Sequence, residues 1–331
     1  MRLEKQNLAK AAALLAQDST VFVPAEVNGV KKFIPWREGV EPCLEGENAK
    51  LPPKDILFPR TQCVYTYHRG EDASITAPPQ DRPTVIFGLR PCDARSILCM
   101  DKAFLEQGFT DSLYQQRREN TVLIALSCPQ AGENCFCDSM GVDPNQAPEA
   151  DLLLWGQGEH YGVKAQSGKG ETVLAAWAGL LTQGDVPSGN TACVRSVPMS
   201  DTLAQHLTGQ FESEIWREVS RPCLGCGTCT YVCPTCYCFD IGMDNHGSDG
   251  TEFRCWDSCM FSDYNRIAGG YTPRPTKKER LRNRFLHKLS YFHQRTGMNL
   301  CVGCGRCVSS CPSRIDITEI IDRMAEVSAD A

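Results

Sequence analysis

The chain has 331 residues, is 42% hydrophobic and 22% charged, and carries a formal net charge of −6. This length favours two domains, and this composition is that of a soluble globular protein with a real core. The acidic balance argues against nucleic acid or an anionic membrane as the main partner, and no apolar stretch approaches a membrane span.

In chain order, MRLEKQNLAKAAALLAQD lacks the apolar run of a signal peptide and the arginine pair of a twin-arginine leader. Its Leu8, Ala11, Ala12 and Leu15 fit a short amphipathic helix. The expected location is therefore the cytoplasm. There, twenty cysteines are poor candidates for disulfides and better ones for metal ligands or reduced core thiols. TVIFGL, Thr84 to Leu89, is an apolar run between Pro83 and Pro91 and reads as a buried strand. Ile97, Met100 and Phe104 then fall at helical spacing. TVLIAL, Thr121 to Leu126, is a second buried strand, so the three form a parallel βαβ unit. DLLLWG and HYGVKA read as a later strand pair and ETVLAAWAGLL as a helix.

The stretch from Gln183 to Asp201 is rich in Pro, Gly and Ser and reads as a linker. TLAQHLTGQFESEIWREVS follows as helix. After Cys311, the residues Ile317, Ile320, Ile321 and Met324 share one face of a closing amphipathic helix. The expected fold class is an α/β N-terminal domain followed by a mostly helical, ferredoxin-like dicluster domain. The expected boundaries are 1–185, a linker at 186–201, and 202–331.

Two cysteine arrays dominate the second half. CLGCGTCTYVCP and CVGCGRCVSSCP both read C-x2-C-x2-C-x3-C-P, and 67 residues, 234–300, separate Cys233 from Cys301. This is the ligand run of bacterial ferredoxins. Three thiolates two residues apart wrap one face of a cubane, and Gly225, Gly227, Gly303 and Gly305 let the backbone turn tightly. The fourth cysteine reaches the other cluster. Cluster one is therefore assigned Cys223, Cys226, Cys229 and Cys311; cluster two takes Cys301, Cys304, Cys307 and Cys233. Zinc prefers paired C-x2-C knuckles and fits this repeated spacing poorly.

Cys92 and Cys128 each follow a predicted strand. If the strands are parallel neighbours, both thiols stand at the carboxyl ends, where α/β sheets place ligands. Cys135 and Cys137 follow on the next loop, and the four together suit a third [4Fe–4S] cluster. The bland alternative is four scattered core thiols. Cys236, Cys238, Cys255 and Cys259 could hold a further cluster; the preferred reading is that they pack beside the first two without ligating. Cys43, Cys63, Cys99 and Cys193 read as ordinary thiols. The basic run RPTKKERLRNRFLHK, Arg274 to Lys288, is a solvated helix face, a docking surface for an acidic partner, or charge that offsets anionic clusters.

No dinucleotide, P-loop, HExxH or nucleophile-elbow motif is present. The six histidines are scattered, and no catalytic residue is assigned. A flavin site stays open on motifs alone.

Several stretches together resemble one family: VFVPAEVNGVKKFIPWREG, GLRPCDARS, NCFCDSMG, CLGCGTCTYVCPTCYCFD, WDSCM, RPTKKERLRNRFLHKLSYF and CVGCGRCVSSCP. That family holds the iron–sulfur (β) subunit of soluble sulfhydrogenases and its counterpart in anaerobic sulfite reductase. The resemblance spans nearly the whole chain. It implies an electron relay beside a flavin subunit that handles NAD(P)H. It also implies a catalytic or redox partner: a hydrogenase, a sulfite reductase or a heterodisulfide-reductase-like module. Cys92, Cys128, Cys135 and Cys137 fall on recurrent family cysteines, and Cys255 falls outside the pattern of the sulfite reductase branch. The rival expectation is a self-contained flavin or substrate-reducing iron–sulfur enzyme working in the crevice at Cys92 and Cys128.

Overall fold

The computed structural model describes residues 1–185 and 189–329. The expected linker, 186–201, thus begins outside the described residues. The first half contains β1 (Arg2–Glu4), α1 (Leu8–Ala16), β2 (Thr20–Val27), β3 (Val30–Pro35), α2 (Lys54–Leu57), β4 (Thr61–His68) and β5 (Ser74–Thr76). It continues with β6 (Thr84–Leu89), α3 (Pro91–Leu105), α4 (Ser112–Glu119), β7 (Thr121–Leu126), β8 (Leu152–Gln157), β9 (His160–Ala165), α5 (Gly168–Ala176) and β10 (Leu181–Thr182).

Eight of these strands form one sheet in the order β10-β1-β9-β8-β7-β6-β2-β3. β6 lies between two parallel neighbours, β2 and β7, and β8 continues the parallel run. Central parallel strands are covered on both faces, which is why β6 and β7 are apolar throughout. Alternation sends Val85, Phe87, Ile124 and Leu126 to one face, against Trp177. Ile86, Leu89, Leu123 and Ala125 take the other face, against Ile97 and Met100 of α3. The βαβ reading therefore holds. The β2–β3 hairpin went unread, although its Asn28-Gly29 turn is a strong signal: both residues have positive φ, 53° and 73°.

The second half contains α6 (Asp201–Gly209), α7 (Ile215–Ser220), α8 (Thr228–Tyr231), β11 (Phe239–His246) and β12 (Asp249–Trp256). α9 (Lys277–Leu286) then runs through a π-helical turn (His287–Tyr291) into α10 (Phe292–Thr296), followed by α11 (Arg306–Ser309) and α12 (Ile317–Ala329). Ile317, Ile320, Ile321 and Met324 of α12 are buried against α6, α7 and α9.

The expectation of a mostly helical second half needs correction. β11 and β12 are eight-residue strands in full antiparallel register, and they lie in a four-stranded sheet, β11-β12-β4-β5. Half of that sheet belongs to the first part of the chain. The insertion between the arrays leaves as a hairpin and is clamped by β4. Phe239, Ile241 and Met243 alternate with Asp240, Gly242 and Asp244, a period of two that marks a strand. The seam is closed by Arg254 of β12, a buried guanidinium that donates to Gln62 of β4 (2.8 Å) and pairs with Asp111. Asp111 also caps α4 by accepting from the Tyr114 amide (2.8 Å).

Asp111→Ala removes both interactions and strands a buried cation. A loss of about 3 kcal/mol is expected, read as a lower denaturant midpoint with the m-value unchanged.

Candidate metal centres

Each array begins as a loop with two left-handed glycines. Gly225 and Gly227 have φ of 71° and 74°; Gly303 and Gly305 have 63° and 72°. Gly227 and Gly305 lead directly into α8 and α11, four-residue helices that carry the third cysteine of each array. One hollow is lined by Cys223, Cys226, Cys229 and Cys311, with Met260, Leu281 and Phe285 as its apolar wall. Cys307 also borders it. The other three-cysteine loop gathers around Cys233: both Cys301 and Cys304 lie within electrostatic reach of Cys233 and Cys307. Cys311 thus stands with the first three cysteines of the first array, and Cys233 with Cys301 and Cys304 of the second.

The third expected set also shares one hollow. Cys92 sits in the first turn of α3, and Cys128 lies two residues past β7. Cys135 and Cys137 follow on the next loop. All four line a hollow that Asn48, Arg90 and Cys304 complete. Parallel pairing of β6 with β7 brings the first two to the same end of the sheet. The second array closes this hollow because its backbone lies directly on the Cys135–Cys137 loop. Phe136 N donates to the Gly303 carbonyl (2.9 Å). A Cβ at Gly303 would stand 2.5 Å from Cys137 Cα, and one at Gly305 would stand 2.6 Å from the Asn134 carbonyl. Asn48 Nδ2 donates to the Cys304 carbonyl (3.2 Å) and lies 3.9 Å from Cys92 Sγ.

Burial pushes the thiols of Cys301 and Cys304 up to about 12, and that of Cys135 up to about 11. These groups hold their protons near neutral pH when no metal is bound, so binding a metal there releases protons. Among the described residues, no three His, Cys, Asp or Glu side chains converge closely enough for a single ion. The thiols of a polynuclear cluster stand farther apart, around a hollow.

Much of the basic run is not the solvated face of its first reading, and two of its residues, Arg284 and Lys288, stand beside thiols, as its third reading expects. Arg280, Arg282, Arg284 and Lys288 are buried rather than solvated. Arg282 donates to the Phe211 carbonyl (3.0 Å), and Arg284 to that of Cys229 (3.1 Å). Lys288, on the π-helical turn, donates to Thr235 Oγ1 (2.9 Å). Burial opposes the Lys288 charge, but Cys233, Cys236 and Cys301 outweigh it and raise its pKa. Arg284 is held charged in the same way by Cys229 and Cys307. Lys54 of α2 reaches in from the first half and donates to the carbonyls of Thr230 (3.1 Å) and Cys236 (2.9 Å). Arg306 of α11 makes a two-pronged buried pair with Asp93 of α3, at 2.8 and 3.1 Å. Sequence reasoning gave no role to Lys54, Asp93 or Arg306, although Asp93 and Arg306 lie in GLRPCDARS and CVGCGRCVSSCP, two of the stretches that carry the resemblance.

Of the remaining cysteines, Cys193 is not an ordinary lone thiol: its Sγ lies 3.4 Å from Cys137 Sγ. Cys99 is fully buried beside the Asn299 carbonyl (3.7 Å). Cys43 and Cys63 line none of the three sets. Cys238 lies within electrostatic reach of Cys259 and Tyr264, and Cys236 within that of Cys233. Cys255 stands apart, opposite Asp240 in the hairpin.

A family model described as a 4Fe-4S dicluster domain matches residues 222–315, which hold both arrays and the insertion. Sulfhydrogenase 2 subunit beta of Pyrococcus furiosus is 30% identical over 325 residues, covering 94% of each chain. The chain belongs to the sulfhydrogenase β-subunit family. No solved structure matches it.

In this family member, the contact of Gly303 with Cys137 decides whether the second and third sets adjoin. Gly303→Ala places a methyl group inside backbone van der Waals distance and adds strain at positive φ. About 3 kcal/mol of stability is expected to be lost, together with a lower iron content per chain, read by chemical unfolding and metal analysis of the same preparation.

Proposed function

We propose that this chain is the electron-relay subunit of a cytoplasmic multi-subunit oxidoreductase. Two [4Fe–4S] clusters would be held by Cys223, Cys226, Cys229 and Cys311, and by Cys301, Cys304, Cys307 and Cys233. A third would be held by Cys92, Cys128, Cys135 and Cys137. Bound there, such clusters supply one-electron transfer without breaking a substrate bond. The observation that carries this reading is the order of the thiol sets. Cys307 borders the first hollow and Cys304 the third, although both belong to the middle set. The three sets therefore form a line through both parts of the chain.

The chain's own residues do three things along that line. Arg284, Lys288 and Arg306 supply buried positive charge beside the thiols. The glycine loops bring backbone N–H groups close to sulfur; Gly225 N lies 3.4 Å from Cys223 Sγ, for example. The apolar walls keep water out. At the first set the line reaches the surface, because Cys226 and Leu224 are exposed. Among the described residues no helix is long and apolar enough to cross a membrane. The partners that fit are a flavin subunit handling NAD(P)H and a catalytic or redox subunit. The sulfhydrogenase relative favours a hydrogenase over a sulfite reductase or a heterodisulfide-reductase-like module. The division into 1–185, a linker at 186–201 and 202–331 remains our working description of the domains, with the β4–β12 pairing as the joint between them.

Iron and acid-labile sulfide per chain after anaerobic purification test this. About twelve irons are required by the three sets, and about eight would remove the third. Iron-free, colourless protein would overturn the relay. Turnover of NAD(P)H with a dye by the isolated chain would favour a self-contained enzyme instead.

Lys288→Met tests the electrostatic part. One buried charge removed at about 6 Å, at an effective dielectric near 20, makes reduction harder by on the order of 100 mV. An EPR-monitored redox titration should show one midpoint potential moving negative by this amount while the others stay.

A further inference from the structure

We propose that the surface around Cys226 and Leu224 is a docking face for the acidic surface of an electron-carrying protein. This deepens the relay reading and rests on it, by naming where the line of thiol sets meets its partner and the chemistry that partner presents.

The face has an apolar centre. Leu224 is 69% exposed between the first two cysteines of the first array, and Cys226 is exposed beside it. Pro222 and Pro312, at the two ends of the first set, are exposed as well. Leu224, Cys226 and Pro312 border the same hollow as Cys223, Cys229 and Cys311. The apolar side chains in water therefore lie at the mouth of a thiol set. An apolar centre inside a charged rim is the usual anatomy of a protein–protein contact.

The rim is basic, on a chain whose formal net charge is −6. Arg221, Lys277 and Arg314 are exposed, and Lys278 is half-buried. Lys277 and Lys278 open the basic run, ahead of its buried arginines. Three of the four are tied to the first set. Arg221 stands two residues before Cys223. Lys277 donates to the Cys223 carbonyl (2.6 Å), and Arg314 N to that of Cys311 (3.1 Å). None of the described residues lining the hollow carries a carboxylate. Carboxylates of the neighbouring segments are occupied: Glu218 pairs with Arg323 (2.5 Å) and Asp263 with Arg266 (2.9 Å), while Glu279 accepts from the Thr276 amide (2.9 Å). Glu319 of α12 is exposed, and the four cations outweigh it. Arg314 adds a second observation. Its φ of 54° lies in the left-handed region, where a long side chain sits at a cost that glycine or asparagine avoids. The turn alone gives no reason to keep an arginine there. Exposed charges contribute little to the stability of the fold, and their field acts on what approaches. A rim of this sign attracts an acidic contact face.

The test mixes the oxidised full chain, purified anaerobically, with each of two reductants in a stopped-flow cell. One is a reduced, strongly acidic small ferredoxin, and the other is reduced methyl viologen, a small cation. One electron passes from the probe to the chain, and no bond is made or broken. The ferredoxin reaction should slow about tenfold as ionic strength rises from about 50 mM to about 500 mM. Arg221→Glu combined with Arg314→Glu should slow it about tenfold or more at low salt, without slowing the viologen reaction or moving the midpoint potentials. Arg314→Asn should also slow the ferredoxin reaction, with a denaturant midpoint at or above that of the wild type. A wild-type ferredoxin rate that does not fall with salt overturns the docking face. So does a double variant that reacts with ferredoxin as fast as the wild type. Slowing with both probes, together with a shifted midpoint potential, would make the rim a counter-charge for the cluster and overturn docking. A chain that viologen cannot reduce overturns the relay and the docking face with it. A chain that viologen reduces, but whose ferredoxin rate ignores salt, loses the docking face alone. The wild-type salt dependence needs no variant, so misfolding of the double variant cannot mask the result.

Discussion

Cys233 is buried, and Cys301 and Cys304 lie largely out of water around it. Thiolates gathered in such a place cost several kcal/mol per charge unless positive charge lies beside them. The chain meets this from three elements at once: Arg284 from α9, Lys288 from the π-helical turn and Arg306 from α11. The π turn places one of these charges. It widens the helix by one residue between Arg284 and Phe292, and Lys288 falls within it, turned toward Thr235 and the thiols. A lysine buried there for packing alone would be among the worst choices for a core. Opposite thiols it is well placed, and in the proposed relay its charge would set how readily the neighbouring centre accepts an electron.

This charge arrangement also ties the two parts of the chain together. Lys54 and Asp93 belong to the first part, yet their partners are Cys236 and Arg306 in the second. Asn48 reaches the Cys304 carbonyl, and β4 pairs with β12. A two-domain description by sequence boundary therefore understates the coupling. The boundary near 186–201 divides the chain in sequence, while the middle thiol set, the third set and the small sheet all straddle the division. The proposed electron path through both parts would require this. Rigid-body motion between them would vary the distance from Cys304 to Cys92, and the apposed backbones at Gly303 and Cys137 leave no room for the two to move closer.

What was legible in the sequence follows the physics of each signal. β6 and β7 could be read because central parallel strands must be apolar on both faces. α12 could be read because one of its faces must be apolar. The convergence of Cys92, Cys128, Cys135 and Cys137 followed from one assumption about parallel neighbours, and the β6–β7 pairing supplies it. The β11–β12 hairpin was harder: most side chains of β11 face water, so its pattern is carried by few residues. The basic run was ambiguous for a different reason. A string of Arg and Lys reads alike whether water or sulfur lies opposite, and only the fold says which. Cys193 was unreadable for the same cause, since its neighbour Cys137 is 56 residues away in sequence.

The crossed placement of Cys233 and Cys311 gives the duplicated motif its meaning. If each array closed on itself, the insertion could be any length and could lie anywhere. Because each array sends its last cysteine to the other, residues 234–300 must return to where they began, and they do so as a hairpin, a fixed loop and a long basic helix. Each of those pieces then contributes to the centre it left. The hairpin base brings Cys238 to Cys259, the loop carries Met260 to the first hollow, and the helix delivers Arg284 and Lys288. The insertion is thus part of the wall and the counter-charge of the clusters it separates in sequence.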